Sequence, residues 1–421
     1  MSPCLSFAVI SATLCVRIRD KIQPASLMRV KWLHFGLWLW AVGLARLGAA
    51  PLHESAPLFT RIGEPAIIPA EVSSNGMCVS VMIDGKGPFR MLIDTGCSFS
   101  MITPEVEAAI EASGIEMEDE DVRAVNGLGD AVTMPRVLLD SVAIGGVEFD
   151  GVIAGVVPLE LQSRVEGRSL DGLLGYSLFS SLFFALDFPN HNLVLSSDWP
   201  KNLPPVRAEL AITEQSEVPF VAVKLQDQEF SVMIDTGASD RFHLPPASAA
   251  SLSWKSEPRP GFLLAVAGET GREQIARLAG TLELGPVREM EPVVGLSAGP
   301  ATIGVGLLRS FCLVFHEAED KLWLCSAQDN PVPSPAVLSV GLSLLADPGG
   351  WRVAGIIPNS PAEEAGIGEG DLVTQIEGRP AQDWTQDQIQ GWLDAHASIA
   401  LKLATRSGER DLNLRVWSLV P

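Results

Sequence analysis

The chain has 421 residues, of which 47% are apolar and 19% are charged, and its formal net charge is −21. A composition this rich in apolar residues supports packed cores and excludes a globally disordered chain. The acidic balance argues against nucleic-acid binding, because phosphate contacts need clustered Lys and Arg side chains. A chain of this length predicts two or three domains.

The first fifty residues have the composition of a secretory signal. A short basic start at 28–31 precedes a mostly apolar run at 32–47, and the residues that follow it are small. We therefore expect residues 1–50 to be removed and the protein to be exported to the periplasm or the cell exterior. Residues 1–27 are consistent with an over-extended start. The alternative is an inner-membrane anchor formed by residues 32–47, which is short for a span.

An internal repeat organises the middle of the chain. Residues 79–96 and 221–237 each predict an alternating strand, a polar turn and a second strand that ends in Asp-Thr-Gly. Further along, residues 172–195 correspond to 303–324, and both predict a Gly-containing turn, a short amphipathic helix and a strand hairpin. We expect two β-rich copies packed about a pseudo-twofold axis. The copies span 60–198 and 205–327.

Four cysteines lie beyond the predicted signal, namely Cys78, Cys97, Cys312 and Cys325. Thiols of an exported protein can be oxidised. The hairpin predicted for residues 311–325 places Cys312 opposite Cys325. A disulfide and two free buried thiols are both compatible with that register.

Each copy delivers one carboxylate, Asp94 or Asp235, at the end of an apolar strand. The glycine two residues later permits a turn that a side chain would block. Twofold symmetry would bring the two carboxylates face to face, where they cannot both ionise and would share one proton. The ionised member can then act as general base on a water while the protonated member polarises a carbonyl. The repeat therefore predicts a hydrolytic site.

The motifs 93-IDTGCS-98 and 234-IDTGAS-239, with the glycine segments 171–175 and 301–311, resemble the pepsin and retropepsin-like aspartic proteases. The resemblance covers about 60–327. It implies a bacterial-type endopeptidase of mainly β fold, with two pseudo-twofold-related half-barrels in which each glycine segment threads behind an Asp loop. The implied substrates are proteins or peptides, and neither a cofactor nor a metal is expected. The implied site residues are the catalytic Asp94 and Asp235, with Thr95, Gly96, Thr236 and Gly237 supporting them and the two threonines exchanging hydrogen bonds.

The same resemblance implies two flap hairpins, with tips at 125–130 and 266–271. Two flaps are typical of the retropepsin branch. The chain departs from the pepsin pattern at Cys97 and Ala238, which stand where pepsins carry Ser or Thr. A hydroxyl there donates to the carboxylate and lowers its pKa, so we expect raised pKa values for this pair. The implied flap residues are Asn126, Gly127, Gly129, Gly268 and Gly271.

A proline-rich segment, 328–335, predicts an extended linker to a last unit at 336–419. Residues 353–380 resemble a PDZ domain of the bacterial protease-associated kind, which is a small α+β fold. Thr385 and Gln388 form a capping box that predicts a helix to about Ala395.

The PDZ resemblance implies that an extended peptide adds as a strand along a groove whose other wall is helix 385–395. C-terminal peptides are therefore expected partners. The alternative is a domain that only packs against the rest of the chain. The loop expected to capture the peptide carboxylate comprises Gly341, Leu342, Ser343 and Leu344.

Three functions remain compatible with the sequence. The first is an exported aspartic endopeptidase, and the second is an inactive peptide-binding or chaperone-like module that retains the protease fold. The third is a structural partner that recruits proteins through the PDZ unit alone. The presence of both aspartates favours the enzyme. The sequence contains no HExxH and no Cys-x-x-Cys, and its histidines are scattered, which argues against a zinc site. Membrane contact is expected only if the N-terminal segment is retained.

Overall fold

The computed structural model describes residues 59–62, 65–111, 122–125, 131–215, 217–266, 269–328 and 332–420, together with the short strand Cys15–Val16, which pairs with Val122–Val125. The predicted signal and anchor segments lie outside the described residues, apart from this strand. Within the described part of the chain, no helix is both long and apolar enough to cross a membrane. The fold is mainly β.

The first copy folds into a strongly curved sheet. Gly76–Ile83 and Lys86–Asp94 form a hairpin around Asp84 and Gly85, both of which have positive φ, as a two-residue turn between twisted strands requires. The sheet curls back on itself because Arg136–Ile144 pairs with Gly76–Ile83. In spatial order its strands are Arg136–Ile144, Val147–Val156, Ser100–Ile102, Gly172–Gly175, Lys86–Asp94, Gly76–Ile83 and Glu71–Ser73, with Phe59–Arg61 beside Val147–Val156. The helices of this copy are Pro104–Ile110 and Glu160–Glu166.

The second copy repeats this architecture. Val218–Leu225 and Gln228–Ile234 form the corresponding hairpin, and Thr281–Leu284 pairs with Val218–Leu225 as its counterpart does in the first copy. In spatial order its strands are Trp254–Val266, Glu269–Leu278, Val293–Leu296, Phe242–Leu244, Thr302–Ile303, Gln228–Ile234, Val218–Leu225, Thr281–Leu284 and Val287–Met290, with Thr213–Gln215 beside Val218–Leu225. The helices are Pro246–Ala249 and Val305–Leu308.

The glycine segments thread behind the Asp loops, as the resemblance implies. Gly172–Gly175 runs parallel to Lys86–Asp94 and antiparallel to Ser100–Ile102. In the second copy, Thr302–Ile303 runs parallel to Gln228–Ile234 and antiparallel to its other neighbour. The helix predicted after each segment is α-helical in the second copy only. Its counterpart, Tyr176–Phe179, is a 3₁₀ helix, a form common in connections as short as this one.

A further sheet joins the two copies. Phe183–Asp187 of the first copy pairs antiparallel with Cys312–His316 of the second. One face of this sheet packs on the main core, in which Phe184 and Phe315 are stacked. Cys312 lies opposite Cys325, as predicted, and both thiols are free and buried. In spatial order the strands are Val206–Ala211, Lys321–Cys325, Cys312–His316, Phe183–Asp187, Asn192–Ser196 and Ala66–Pro69. The turn Glu317–Glu319 is a 3₁₀ helix.

The C-terminal unit is a small sheet with two helices and its own core. Pro361–Glu364 is capped by Ser360, and Gln386–Ala395 begins with the predicted capping box of Thr385 and Gln388. Among the described residues, the edge strand Leu342–Asp347 pairs with a strand on one side only. The strands in order are Leu342–Asp347, Gly350–Ile356, Leu372–Ile376, Ser398–Thr405 and Gly408–Arg415, with Arg379–Pro380 beside the third, Val337–Ser339 paired with Trp417–Val420, and a 3₁₀ turn at Ala381–Asp383.

The described half of the predicted linker is bonded to the second copy. The backbone N–H of Val332 donates to the carbonyl of Arg288. The guanidinium groups of Arg241 and Arg277 donate to the carbonyls of Pro333 and Pro335 at 3.0 and 2.8 Å. Residues 332–335 are therefore held against the second copy, because arginines distant in sequence donate to their carbonyl groups.

Candidate active site

Asp94 and Asp235 meet at the junction of the two copies, and both side chains are fully buried. A Cβ atom added to Gly96 would lie 2.4 Å from Cγ of Asp235. A Cβ atom added to Gly237 would lie 2.6 Å from Cγ of Asp94. Each carboxyl group therefore rests against the glycine of the opposite loop, and only glycine leaves room for it. The structure thus brings the two predicted aspartates into one site.

A reciprocal network of threonines lies beneath the two aspartates. The backbone N–H of Thr95 donates to Oγ1 of Thr236 at 3.1 Å, and the N–H of Thr236 donates to Oγ1 of Thr95 at 3.0 Å. Each hydroxyl then donates across the junction, to the carbonyl of Ile234 or of Ile93, at 2.7 and 2.8 Å. These four buried bonds join the Asp loops, and they are the exchange that the resemblance implies.

Backbone donors hold each carboxyl group. The N–H of Gly96 donates to Oδ1 of Asp94 at 3.0 Å. Oδ1 of Asp235 accepts from the N–H groups of Gly237 and Ala238 at 2.9 and 3.1 Å. The thiol of Cys97 donates its one proton to the carbonyl of Phe99. These donors are backbone amides, and Ala238 has no side-chain donor to add to them.

Electrostatics favours a shared proton in this pair. Burial raises the pKa of Asp235 well above its ordinary value, and the neighbouring Asp94 raises it further. The hydrogen bond from Gly237 lowers that pKa by less. A buried pair with this balance keeps one proton through mildly acidic pH, which is the state that general acid–base chemistry needs.

The structure describes both predicted flap hairpins in part. Val122–Val125 pairs with Ala131–Met134, and Trp254–Val266 pairs with Glu269–Leu278, which we call the second flap hairpin. Gly271 lies in the latter, opposite Leu264, so that the tip falls between Val266 and Glu269. The other predicted flap residues lie outside the described residues, namely Asn126, Gly127, Gly129 and Gly268.

The structure places three of the four predicted carboxylate-loop residues at the start of a strand. Leu342, Ser343 and Leu344 belong to the edge strand Leu342–Asp347, because they pair with Gly350–Ile356 across a bulge. The N–H of Gly341 donates to Oγ of Ser339 at 2.8 Å. Gly341, which has a positive φ, therefore lies in the turn that precedes the strand, and carboxylate binding by these four residues stays a prediction.

Two acidic side chains outside the Asp94 and Asp235 pair were not singled out from the sequence. The carboxyl oxygens of Asp240 are buried and have no hydrogen-bond partner among the described residues, and burial raises its pKa to about 7. Glu273 lies in the second flap hairpin, where burial and then the charge of Asp240 raise its pKa to about 8. The charge of Asp240 also raises the pKa of Asp235. A comparison of the copies could have revealed Asp240, since the first copy carries Phe99 at the matching position.

These two pKa values predict a pH-dependent stability. Between the two pKa values, a carboxyl group whose pKa is raised on folding holds a proton that the unfolded chain has released. For Glu273, the resulting contribution to the free energy of unfolding is complete below the unfolded pKa of 4.5. It is lost as the pH rises through the folded pKa of about 8. We expect the thermal midpoint to fall between pH 5 and pH 8, and the fall to be smaller in Glu273→Gln. The exposed Glu229→Gln is the control and should follow the wild type. An equal fall in Glu273→Gln would contradict the assignment.

Two segments of the chain match known protein families. Residues 79–178 match the aspartyl protease family, and residues 352–405 match the PDZ domain family. No curated protein matches the chain. The first match contains Asp94 and its glycine segment, whereas the second copy lies outside it and is related to the first by its strand pairing. The chain therefore combines an aspartyl protease domain with a C-terminal PDZ domain.

Proposed function

We propose that the protein is an aspartic endopeptidase whose catalytic residues are Asp94 and Asp235. The observation that carries this proposal is the burial of both carboxyl groups at one junction, each against the glycine of the opposite loop. Burying two carboxyl groups beside each other is costly unless they share a proton. A vestigial pair would gain nothing from that cost, which favours the enzyme over an inactive peptide-binding or chaperone-like module.

The reaction follows from the shared proton. The ionised carboxylate takes a proton from a water held between the two groups, and the resulting oxygen attacks the peptide carbonyl carbon. The protonated carboxyl donates its proton to the carbonyl oxygen, which gives a neutral tetrahedral intermediate. Collapse of the intermediate breaks the C–N bond, and the first carboxyl gives its acquired proton to the leaving amine. The proton that the second carboxyl donated to the carbonyl oxygen returns to that carboxyl. The pair then again holds one proton, as it did before the reaction.

We expect the hydrolysis optimum to lie at about pH 5 to 6.5, above pepsin-like behaviour. The motivation is that burial and the second carboxyl raise the pKa of Asp235, and Ala238 offers no side-chain hydroxyl to offset them. Ala238→Ser adds that donor and should move the optimum to lower pH. The control is Ala249→Ser, which places a hydroxyl at a buried position in helix Pro246–Ala249. A wild-type optimum near pH 2 to 3 would contradict this account.

We also propose that the protein is exported, with residues 1–50 removed, because that segment has the pattern of a secretory signal. An anchor retained at residues 32–47 is the alternative. N-terminal sequencing of the protein from its native cells distinguishes the two, since a retained anchor leaves the segment in place.

We further propose that the PDZ domain binds C-terminal peptides by strand addition at the edge strand Leu342–Asp347. Titration of the full chain with matched free-acid and amidated peptides should give tighter binding of the free acid, by about tenfold, since a hydrogen-bonded charge contributes more than a neutral group. Equal affinities would exclude carboxylate capture near Gly341.

A further inference from the structure

The ligand-binding edge of the PDZ domain is covered by the first copy of the protease repeat. The helix Glu160–Glu166 lies against the edge strand Leu342–Asp347, where Nε of Arg164 donates to the carbonyl of Ala346 at 3.0 Å. Leu345 packs on Val165, which is 1% exposed. The strand edge that an incoming peptide would pair with is thus occupied by a helix of the same chain.

The first copy also contacts the other wall of the groove, the helix Gln386–Ala395. The backbone N–H of Ser74 donates to both carboxylate oxygens of Asp387 at 3.2 Å. Nδ2 of Asn75 donates to Oε1 of Gln386 at 3.0 Å. These contacts lie at the N-terminal turn of the helix, and together with the helix Glu160–Glu166 they close the groove from one side.

The polar groups at this contact are incompletely satisfied. Oδ1 of Asn75 and Nε2 of Gln386 are buried and have no hydrogen-bond partner among the described residues. A buried polar atom without a partner is destabilising, and it regains hydrogen bonds when the contact opens to water. These unsatisfied groups therefore weaken the contact between the PDZ domain and the first copy. A contact weakened in this way can open more readily.

The PDZ domain also contacts the second flap hairpin. The N–H of Leu263 donates to Oγ of Ser343 at 3.2 Å, and the guanidinium of Arg272 donates to the carbonyl of Ile356 at 3.0 Å. Leu263 and Arg272 are cross-strand partners near the hairpin tip. Below them, Phe262 and Ile275 are buried in one apolar cluster with PDZ residues, which are Val337, Ile357, Leu419 and Val420.

We propose that the PDZ domain is an intramolecular latch, which holds the second flap hairpin while its own groove is closed by the helix Glu160–Glu166. This inference rests on the proposed function, because a flap matters only if it admits a substrate. A peptide that adds to the strand Leu342–Asp347 must displace that helix. Because Ser343 lies in the same strand and contacts the hairpin, displacement loosens the hairpin and opens the cleft to substrate.

The test uses the full chain with Asp94→Asn in every sample, so that its readout does not depend on hydrolysis. Leu161→Asp/Arg164→Ala disrupts the contact between Glu160–Glu166 and the edge strand, and Ser343→Ala removes the acceptor of the Leu263 N–H without touching the first copy. The control is Arg168→Ala, an exposed arginine that bonds to Glu71 within the first copy. Backbone hydrogen exchange is measured over residues 254–278 and 342–347.

We expect backbone exchange at residues 254–278 to become about fivefold faster or more in both test variants. A change of this size corresponds to the loss of about one hydrogen bond. Exchange in Arg168→Ala should stay unchanged. If residues 342–347 lose protection from exchange in the double variant while residues 254–278 stay protected, the latch proposal is wrong. If the double variant unfolds, Ser343→Ala alone decides, and unchanged exchange in that variant overturns the proposal.

A second arm restores Asp94 and compares hydrolysis of a fluorogenic peptide by the wild type and the double variant. The latch predicts a rate at least about fivefold higher in the variant, since it frees the hairpin. An unchanged rate in an active enzyme would overturn the latch as a control of hydrolysis. Absence of hydrolysis in both proteins would instead refute the proposed function, and the exchange result would stand by itself.

Discussion

Replacement of either Asp94 or Asp235 by Asn should lower peptide hydrolysis at least about a hundredfold, because the amide can neither share the proton nor act as general base. Asn has nearly the shape of Asp, and each side chain is fully buried against a glycine of the opposite loop, so the fold should persist. The measurement is kcat/KM on a fluorogenic peptide, with circular dichroism to verify the fold. Asp140→Asn, at an exposed position, removes the same charge and should leave the rate unchanged.

The two single variants should fail alike, since each carboxyl has its own role in one proton-sharing site. A single variant that keeps more than about a hundredth of the wild-type rate would show that the second carboxyl is dispensable. In that case the reaction would need another base, and the assignment of Asp94 and Asp235 as the catalytic pair would be wrong.

Gly96→Ala should be nearly as damaging. Its Cβ atom would lie 2.4, 2.5 and 2.6 Å from the three atoms of the Asp235 carboxyl group, so that group or the Asp loop must move. Overpacking of this kind costs about 1–3 kcal/mol of stability. We expect hydrolysis to fall at least about a hundredfold as well, since a displacement of about 1 Å in a catalytic group can cost that much.

Gly391→Ala, in helix Gln386–Ala395, is the matched control for this substitution. Apart from the neighbouring backbone of its own helix, no described atom lies within 4 Å of its added Cβ atom. It should keep full activity and gain about 0.5–1 kcal/mol of helix stability. Full activity in Gly96→Ala would mean that the two loops do not approach as closely as the structure places them.

The features predicted best from the sequence are those that depend on residues close together in the chain. The capping box at Thr385 and Gln388 located the helix Gln386–Ala395, and the Asp-Thr-Gly repeat located both interior aspartates. Repetition added long-range information, because two equivalent strands imply a symmetric junction. The opposition of Cys312 and Cys325 followed from hairpin register alone.

The features that the sequence did not predict depend on contacts between distant segments. Glu273 is an ordinary acidic residue in a strand, and its pKa rises only because the second flap hairpin buries it near Asp240. Ser343 was assigned to a carboxylate-binding loop, yet its hydroxyl accepts from Leu263, which is 80 residues away. The prolines of the linker indicated an extended segment but could not indicate that Arg277 would bind it.

The measurement that tests the central claim most directly is a digest of a peptide library by the purified full chain between pH 3 and pH 8. The wild type and Asp94→Asn are compared side by side, with products identified by mass spectrometry. The account predicts cleavage by the wild type, greatest at about pH 5 to 6.5, and loss of the same products with the variant. Identical product sets from both proteins, or no cleavage by the wild type at any pH, would contradict it.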